Sequence, residues 1–134
     1  MYATTPVAKP ATLYPVTTQN FTIPPYSTGT TATARFTLPA FLPGTTLYGV
    51  TPHMHQLGRS IRARNITTGQ CLIDIPAWDF HWQQQYEYSQ PATLGPNETV
   101  EVECIWDNPT PNTVTFGEGT TDEMCMGFFY STTP

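Results

Sequence analysis

Across residues 99–106 the chain alternates with a period of two. Val100, Val102, Cys104 and Trp106 fall on one side, and Glu101, Glu103 and Ile105 on the other. Successive side chains point to opposite faces only in an extended strand, so this segment predicts a strand with one apolar face and one polar face. Shorter pieces of the chain repeat the pattern. Phe21, Thr22 and Ile23 before Pro24 read as an edge strand, and residues 33–38 as another, stopped by Pro39. Residues 46–51 form a strand leading into Pro52 and His53. Residues 60–66 and 71–75 flank Thr67, Thr68, Gly69 and Gln70, which predicts a hairpin. Residues 84–89 and 124–130 complete the set, with turns at 95–98 and 108–112.

No stretch carries a helical period. The expected fold is therefore all-β, an antiparallel β-sandwich of jelly-roll-like form. Residues 1–20, rich in Thr, Pro and Ala and without a period, read as an extended lead-in or linker. That leaves residues 21–134 as a single domain. A chain of 134 residues buries enough surface to fold without a metal or a disulfide.

Composition excludes several functions. Charged residues are 11% of the chain, against about 25% in an average soluble domain. The net charge is −5 with only 5 Lys and Arg, which argues against a nucleic-acid surface. Arg59, Arg62 and Arg64 are three of those five and read as a solvated strand edge rather than a binding patch. No apolar run approaches the ~20 residues of a membrane span. Met1 is followed by Tyr2, Ala3, Thr4, Thr5 and Pro6, without the basic start and apolar run of a signal peptide. That leaves either a cytosolic protein or a trimmed one, and the cysteines favour trimming from a secreted or periplasmic precursor.

The chemistry concentrates in a few residues. His53 and His55 stand at i and i+2, which sets both imidazoles on one face of an extended backbone. Two neutral imidazoles suit Cu, Zn, Fe or Ni, although such a pair also occurs as plain surface histidines. Met124, between a polar turn and an apolar strand, is the third donor to consider beside its ordinary role as core filler. A thioether is soft and neutral, favours Cu(I) and has little affinity for Mg or Ca. Cys104 and Cys125 sit on the two late strands; they form either a disulfide worth roughly 3 kcal/mol in the chain-entropy model or a pair of buried thiols. Cys71 is then the odd cysteine, expected as a small buried residue.

The run Thr51, Pro52, His53, Met54, His55, Gln56, Leu57, Gly58, Arg59 resembles the histidine motif of the copper type II, ascorbate-dependent monooxygenases. Thr121, Asp122, Glu123, Met124 and Cys125 resemble the methionine motif of that family, and residues 76–83 the aromatic segment of its bacterial members. Together these cover roughly residues 45–130 and correspond to the family's C-terminal copper domain. The resemblance implies one copper ion per chain on His53, His55 and Met124, and a Cys104–Cys125 disulfide. It further implies dioxygen as a co-substrate for C–H hydroxylation, and ascorbate as an external reductant. It agrees with a β-sandwich.

The chain also departs from that pattern. Complete members carry a second copper on three histidines of an N-terminal domain. This chain has 3 His in all and cannot build that site once two are used. The resemblance thus implies an N-terminal copper domain as partner. In the peptide-amidating members an Arg stands at the position of Thr51 and a Tyr at that of Phe128, and both help to hold the substrate carboxylate. Their absence here excludes glycine-ended peptides as expected substrates. It leaves Thr51, Met126 and Phe128, with His81, as candidates to line a more apolar pocket for an unknown small molecule or peptide. His81 is a candidate fourth ligand or proton carrier, set against the plainer reading of an imidazole wedged between Phe80 and Trp82. Asp79, Asp122 and Glu123 are candidate acceptors for the ligand histidines, although Asp122 and Glu123 more often end a turn. Two further readings stand beside the oxygen-activating domain. One is a stand-alone copper-binding or copper-carrying module, and the other a structural sandwich with incidental histidines.

Overall fold

A computed structural model describes residues 10–132. Ten strands follow in order: β1 (Ala11–Thr18), β2 (Thr22–Ile23), β3 (Ser27–Thr37), β4 (Thr45–His53), β5 (Gly58–Asn65), β6 (Gln70–Ile75), β7 (Tyr86–Leu94), β8 (Thr99–Asn108), β9 (Val114–Thr115) and β10 (Cys125–Thr132). Among the described residues there is no helix. Two four-stranded antiparallel sheets, ordered β1-β10-β4-β7 and β3-β8-β5-β6, face one another, with β2 and β9 as a small separate pair. The expected all-β antiparallel sandwich is the observed fold, and the order in which its eight main strands alternate between the two sheets is jelly-roll-like.

The alternation in β8 is realised as read. Val100, Val102, Cys104 and Trp106 are at most 2% exposed and face the other sheet. Val16, Leu47, Val50 and Phe129 meet them from the first sheet. Cys104 of β8 and Cys125 of β10 form a buried disulfide, which joins the two sheets at the start of β10.

Three readings need correction. Residues 11–18, within the expected lead-in, form β1, which pairs along its whole length with β10. The first nine residues of that stretch lie outside the described residues. β1 escapes a period-two reading because it is an edge strand on which only Val16 is buried. An edge also explains why Pro15, with no N–H to donate, fits there. Cys71, expected to be buried, is an exposed free thiol at the start of edge strand β6. Arg62 and Arg64 are not on an edge either: β5 lies between β8 and β6. Their guanidinium groups reach across to Glu103 at 2.7 Å and Glu101 at 3.0 Å on the outer face of β8. Of the remaining differences the largest is β3, which begins at Ser27 rather than Thr33; β7 runs to Leu94 rather than Ser89, and the two-residue β9 has no counterpart in the sequence reading.

Candidate metal centre

β4 carries the histidine pair to one end of the first sheet. Pro52 and Met54 turn inward and are buried, Met54 completely. That alternation sends His53 and His55 to the opposite side. Their rings stand edge to face with centroids 5.0 Å apart and planes at 80°. His55 is 6% exposed, and His53 is half-buried.

Each ring is anchored through Nδ1. His55 Nδ1 lies 3.0 Å from the main-chain oxygen of Asp122. A carbonyl only accepts, so Nδ1 carries the hydrogen and the lone pair of His55 is at Nε2. His53 Nδ1 lies 2.6 Å from Oε1 of Gln83. The loop over the pair is completed by Trp78, whose Nε1 donates to the oxygen of His55 at 3.2 Å, and by Phe80, edge-on to the His55 ring at 6.0 Å.

Glu123 joins this loop to the late part of the chain. The residue is wholly buried. Its Oε2 accepts the main-chain N–H of His55 at 2.8 Å, that of Met124 at 3.3 Å and Nε1 of Trp106 at 3.0 Å. Its Oε1 accepts the N–H of Leu57 at 2.6 Å. One carboxyl group therefore draws the backbones of His55 and Met124 to a single point. The β4–β10 register ends at the pair His53–Met126, so His55 and Met124 both lie just beyond the paired strands at the same end of the sheet.

Thr51, Met126 and Phe128 share the outer sheet face with His53, since Phe128 pairs with Thr51 as Met126 does with His53. All three are half-buried, whereas Cys125, Gly127 and Phe129 between them point into the core. His81 is not wedged in an aromatic cluster: its side chain is 86% exposed and leans on Asp79 Oδ1 at 3.4 Å, and Trp82 is itself 70% exposed. Its ring meets only Phe80, edge-on at 5.6 Å, because the turn at 79–82 points both polar side chains outward. Asp79 Oδ1 accepts the N–H of His81, and Asp122 Oδ2 that of Gly119, whereas the rings of His53 and His55 lean on Gln83 and on the main-chain oxygen of Asp122 instead.

The donor set suits a soft ion. Among the described residues no three His, Cys, Asp or Glu side chains come close enough to share a metal. Met124 is the candidate donor of another kind, and its main-chain N–H shares Oε2 of Glu123 with the N–H of His55. A centroid spacing of 5.0 Å keeps the two rings near enough to approach one ion of the kind that imidazoles bind at about 2.0 Å.

Residues 9–133 match the model of the copper type II ascorbate-dependent monooxygenase family, C-terminal domain. The chain belongs to this family. It is 32% identical over 82 residues to DBH-like monooxygenase protein 2 of Mus musculus, covering 58% of this chain and 13% of that protein. It is 29% identical over 82 residues to tyramine beta-hydroxylase of Caenorhabditis briggsae, covering 58% of this chain and 14% of that one. A putative DBH-like monooxygenase protein 2 of Homo sapiens is 28% identical over 88 residues, covering 63% of this chain and 18% of the relative. The chain thus spans less than a fifth of the length of these relatives. Within this monooxygenase domain the residues that sequence reading missed are Gln83 and the backbone-gathering role of Glu123. An acidic residue beside a candidate ligand was a visible signal for Glu123, whereas no local signal singles out Gln83 from Gln84 and Gln85.

Proposed function

We propose that this domain holds one copper ion on His53, His55 and Met124 and serves as the oxygen-activating half of an ascorbate-dependent monooxygenase. The observation that carries the reading is the shared oxygen of Glu123, which accepts the amide of His55 from 68 positions away and that of its neighbour Met124. Copper, when bound, supplies the redox chemistry by which dioxygen hydroxylates a substrate C–H bond, with ascorbate as reductant. The protein's part is to orient donors. Main-chain and side-chain acceptors hold the imidazoles, and the thioether contributes a soft, neutral ligand that favours Cu(I).

Thr51, Met126 and Phe128 form the face on which a substrate lies beside His53. None carries a charge, so the domain lacks the bidentate cation that recognises a carboxylate. The substrate is accordingly a neutral or apolar molecule rather than a glycine-ended peptide. The disulfide between the sheets suits an oxidising compartment, so the domain works outside the cytosol.

Competition titration of Cu(I) against a chromogenic chelator tests the site. We expect one equivalent per chain, with His53→Ala, His55→Ala and Met124→Leu each weakening affinity roughly ten-fold or more. Unchanged affinity in His53→Ala would sink the reading. A copper-carrying module is the second reading, because the 3 histidines of this chain cannot build a second three-histidine centre. Oxygen uptake with copper and ascorbate separates the two: a hydroxylated product from a neutral substrate supports the monooxygenase, and copper binding without product supports the carrier.

A further inference from the structure

We propose that Gln83 is a positioning residue that locks the neutral tautomer of His53 and so aims its Nε2 at the metal; the proposal rests on the copper reading above. Phe80 sets the orientation of the Gln83 amide. Its main-chain oxygen accepts Nε2 of Gln83 at 2.9 Å. A carbonyl cannot donate, so the amide of Gln83 can point only its nitrogen that way. Its oxygen is thereby turned toward His53, 2.6 Å from Nδ1. That oxygen has no hydrogen to give, so the hydrogen in this bond belongs to Nδ1. In the neutral ring the lone pair is then at Nε2, the nitrogen directed away from Gln83.

The two histidines reach the same state by different means. His55 is fixed by the main-chain oxygen of Asp122, which no substitution removes. His53 depends on one side chain. Gln83 lies just before β7, whose first residue Tyr86 pairs with Val50 of β4, so the approach to β7 passes the end of β4 that carries His53. Trp78 holds the start of the same loop to the oxygen of His55. Residues 78–83 thus form a bracket over both rings, with Gln83 as its adjustable end. Without that bond an imidazole exchanges between two neutral tautomers, and a metal has to select one of them at a cost in affinity.

The test begins with the metal-free protein. Two-bond proton–nitrogen correlation spectra of 15N-labelled imidazoles show directly which ring nitrogen carries the hydrogen, with His53→Ala assigning the signal. We expect Nδ1–H for His53 in the wild type, loss of that state in Gln83→Leu and its return in Gln83→Glu, whose carboxylate also accepts. Cu(I) affinity should fall roughly ten-fold or more in Gln83→Leu and recover in Gln83→Glu. Gln83 is only half-buried, so the leucine variant should fold, which the dispersed amide spectrum verifies. An Nε2–H tautomer in the wild type, or a Gln83→Leu protein that keeps both tautomer and affinity, overturns the proposal. Nδ1–H in the wild type with unchanged copper affinity in His53→Ala upholds the tautomer and overturns the copper reading beneath it.

Discussion

Glu123 accepts the main-chain amide of His55 at 2.8 Å from a position wholly withdrawn from solvent. The same carboxyl takes the amides of Leu57 and Met124 and the indole of Trp106, so four donors converge on two oxygens. Burying a carboxyl group is costly unless its oxygens are satisfied, and here the loop carrying the histidines is what satisfies them. Glu123→Ala leaves those donors unpaired in the core at about 1–3 kcal/mol each. We expect a loss of about 3 kcal/mol or more in urea unfolding. A loss below about 1 kcal/mol would mean that water fills the gap.

Gly58 tests the packing behind the histidine pair. A Cβ there would stand 2.5 Å from Cδ1 of Trp78 and 2.8 Å from Cε of Met54. The methionine tip can give way, but the indole is held by its bond to the oxygen of His55. Gly58→Ala should therefore cost about 1–3 kcal/mol and weaken copper binding as the bracket shifts. Thermal melts with copper titration check both, and a variant unchanged in either measurement would show that Trp78 yields freely.

On the outer face of the second sheet Glu101 is 5% exposed. Burial alone would raise its pKa. The hydrogen bonds from Arg35 at 2.7 Å and Arg64 at 3.0 Å, with their charges, outweigh that and hold the carboxyl below its ordinary value. A group depressed in the folded state stabilises fully above its unfolded pKa, about 4.3 for Glu. That stability is lost as pH falls from there through the folded value. Urea unfolding below about pH 5 should lose free energy more steeply in the wild type than in Glu101→Gln. Parallel curves would remove Glu101 from the acid sensitivity. The side chains of Arg35 and Arg64 are 62% and 38% exposed, so solvent screening keeps the effect small.

The disulfide spans a sequence separation of 21 and joins β8 to β10, immediately after Met124. Replacing both cysteines by alanine should cost about 3 kcal/mol by the loop-closure relation. It should also loosen the start of β10 and weaken copper affinity. Equilibrium unfolding and copper titration of Cys104→Ala/Cys125→Ala measure the two effects, and a variant as stable as the wild type would contradict the entropic account.

Most of the strands were legible because each has a buried and a wet face. β8 shows this best, and β4 and β10 follow it to the end of the sheet beside the histidine pair. β1 was not legible because an edge strand with one buried residue imposes no period on its sequence. Cys71 was misjudged because residue type alone does not reveal that its strand lies at the edge of the sheet. His81 was misjudged because the turn at 79–82 decides which way an imidazole between two aromatics points.

By itself the sequence determined the alternation that builds a sandwich and the i, i+2 spacing that sets two imidazoles on one side. Both are local, because a strand reverses side-chain direction at every residue whatever surrounds it. Only the tertiary structure decided what those imidazoles lean on. Gln83 reaches His53 across 30 positions and Glu123 reaches His55 across 68. Such partners are chosen by the order and register in which strands pair, and no local period in the chain encodes them.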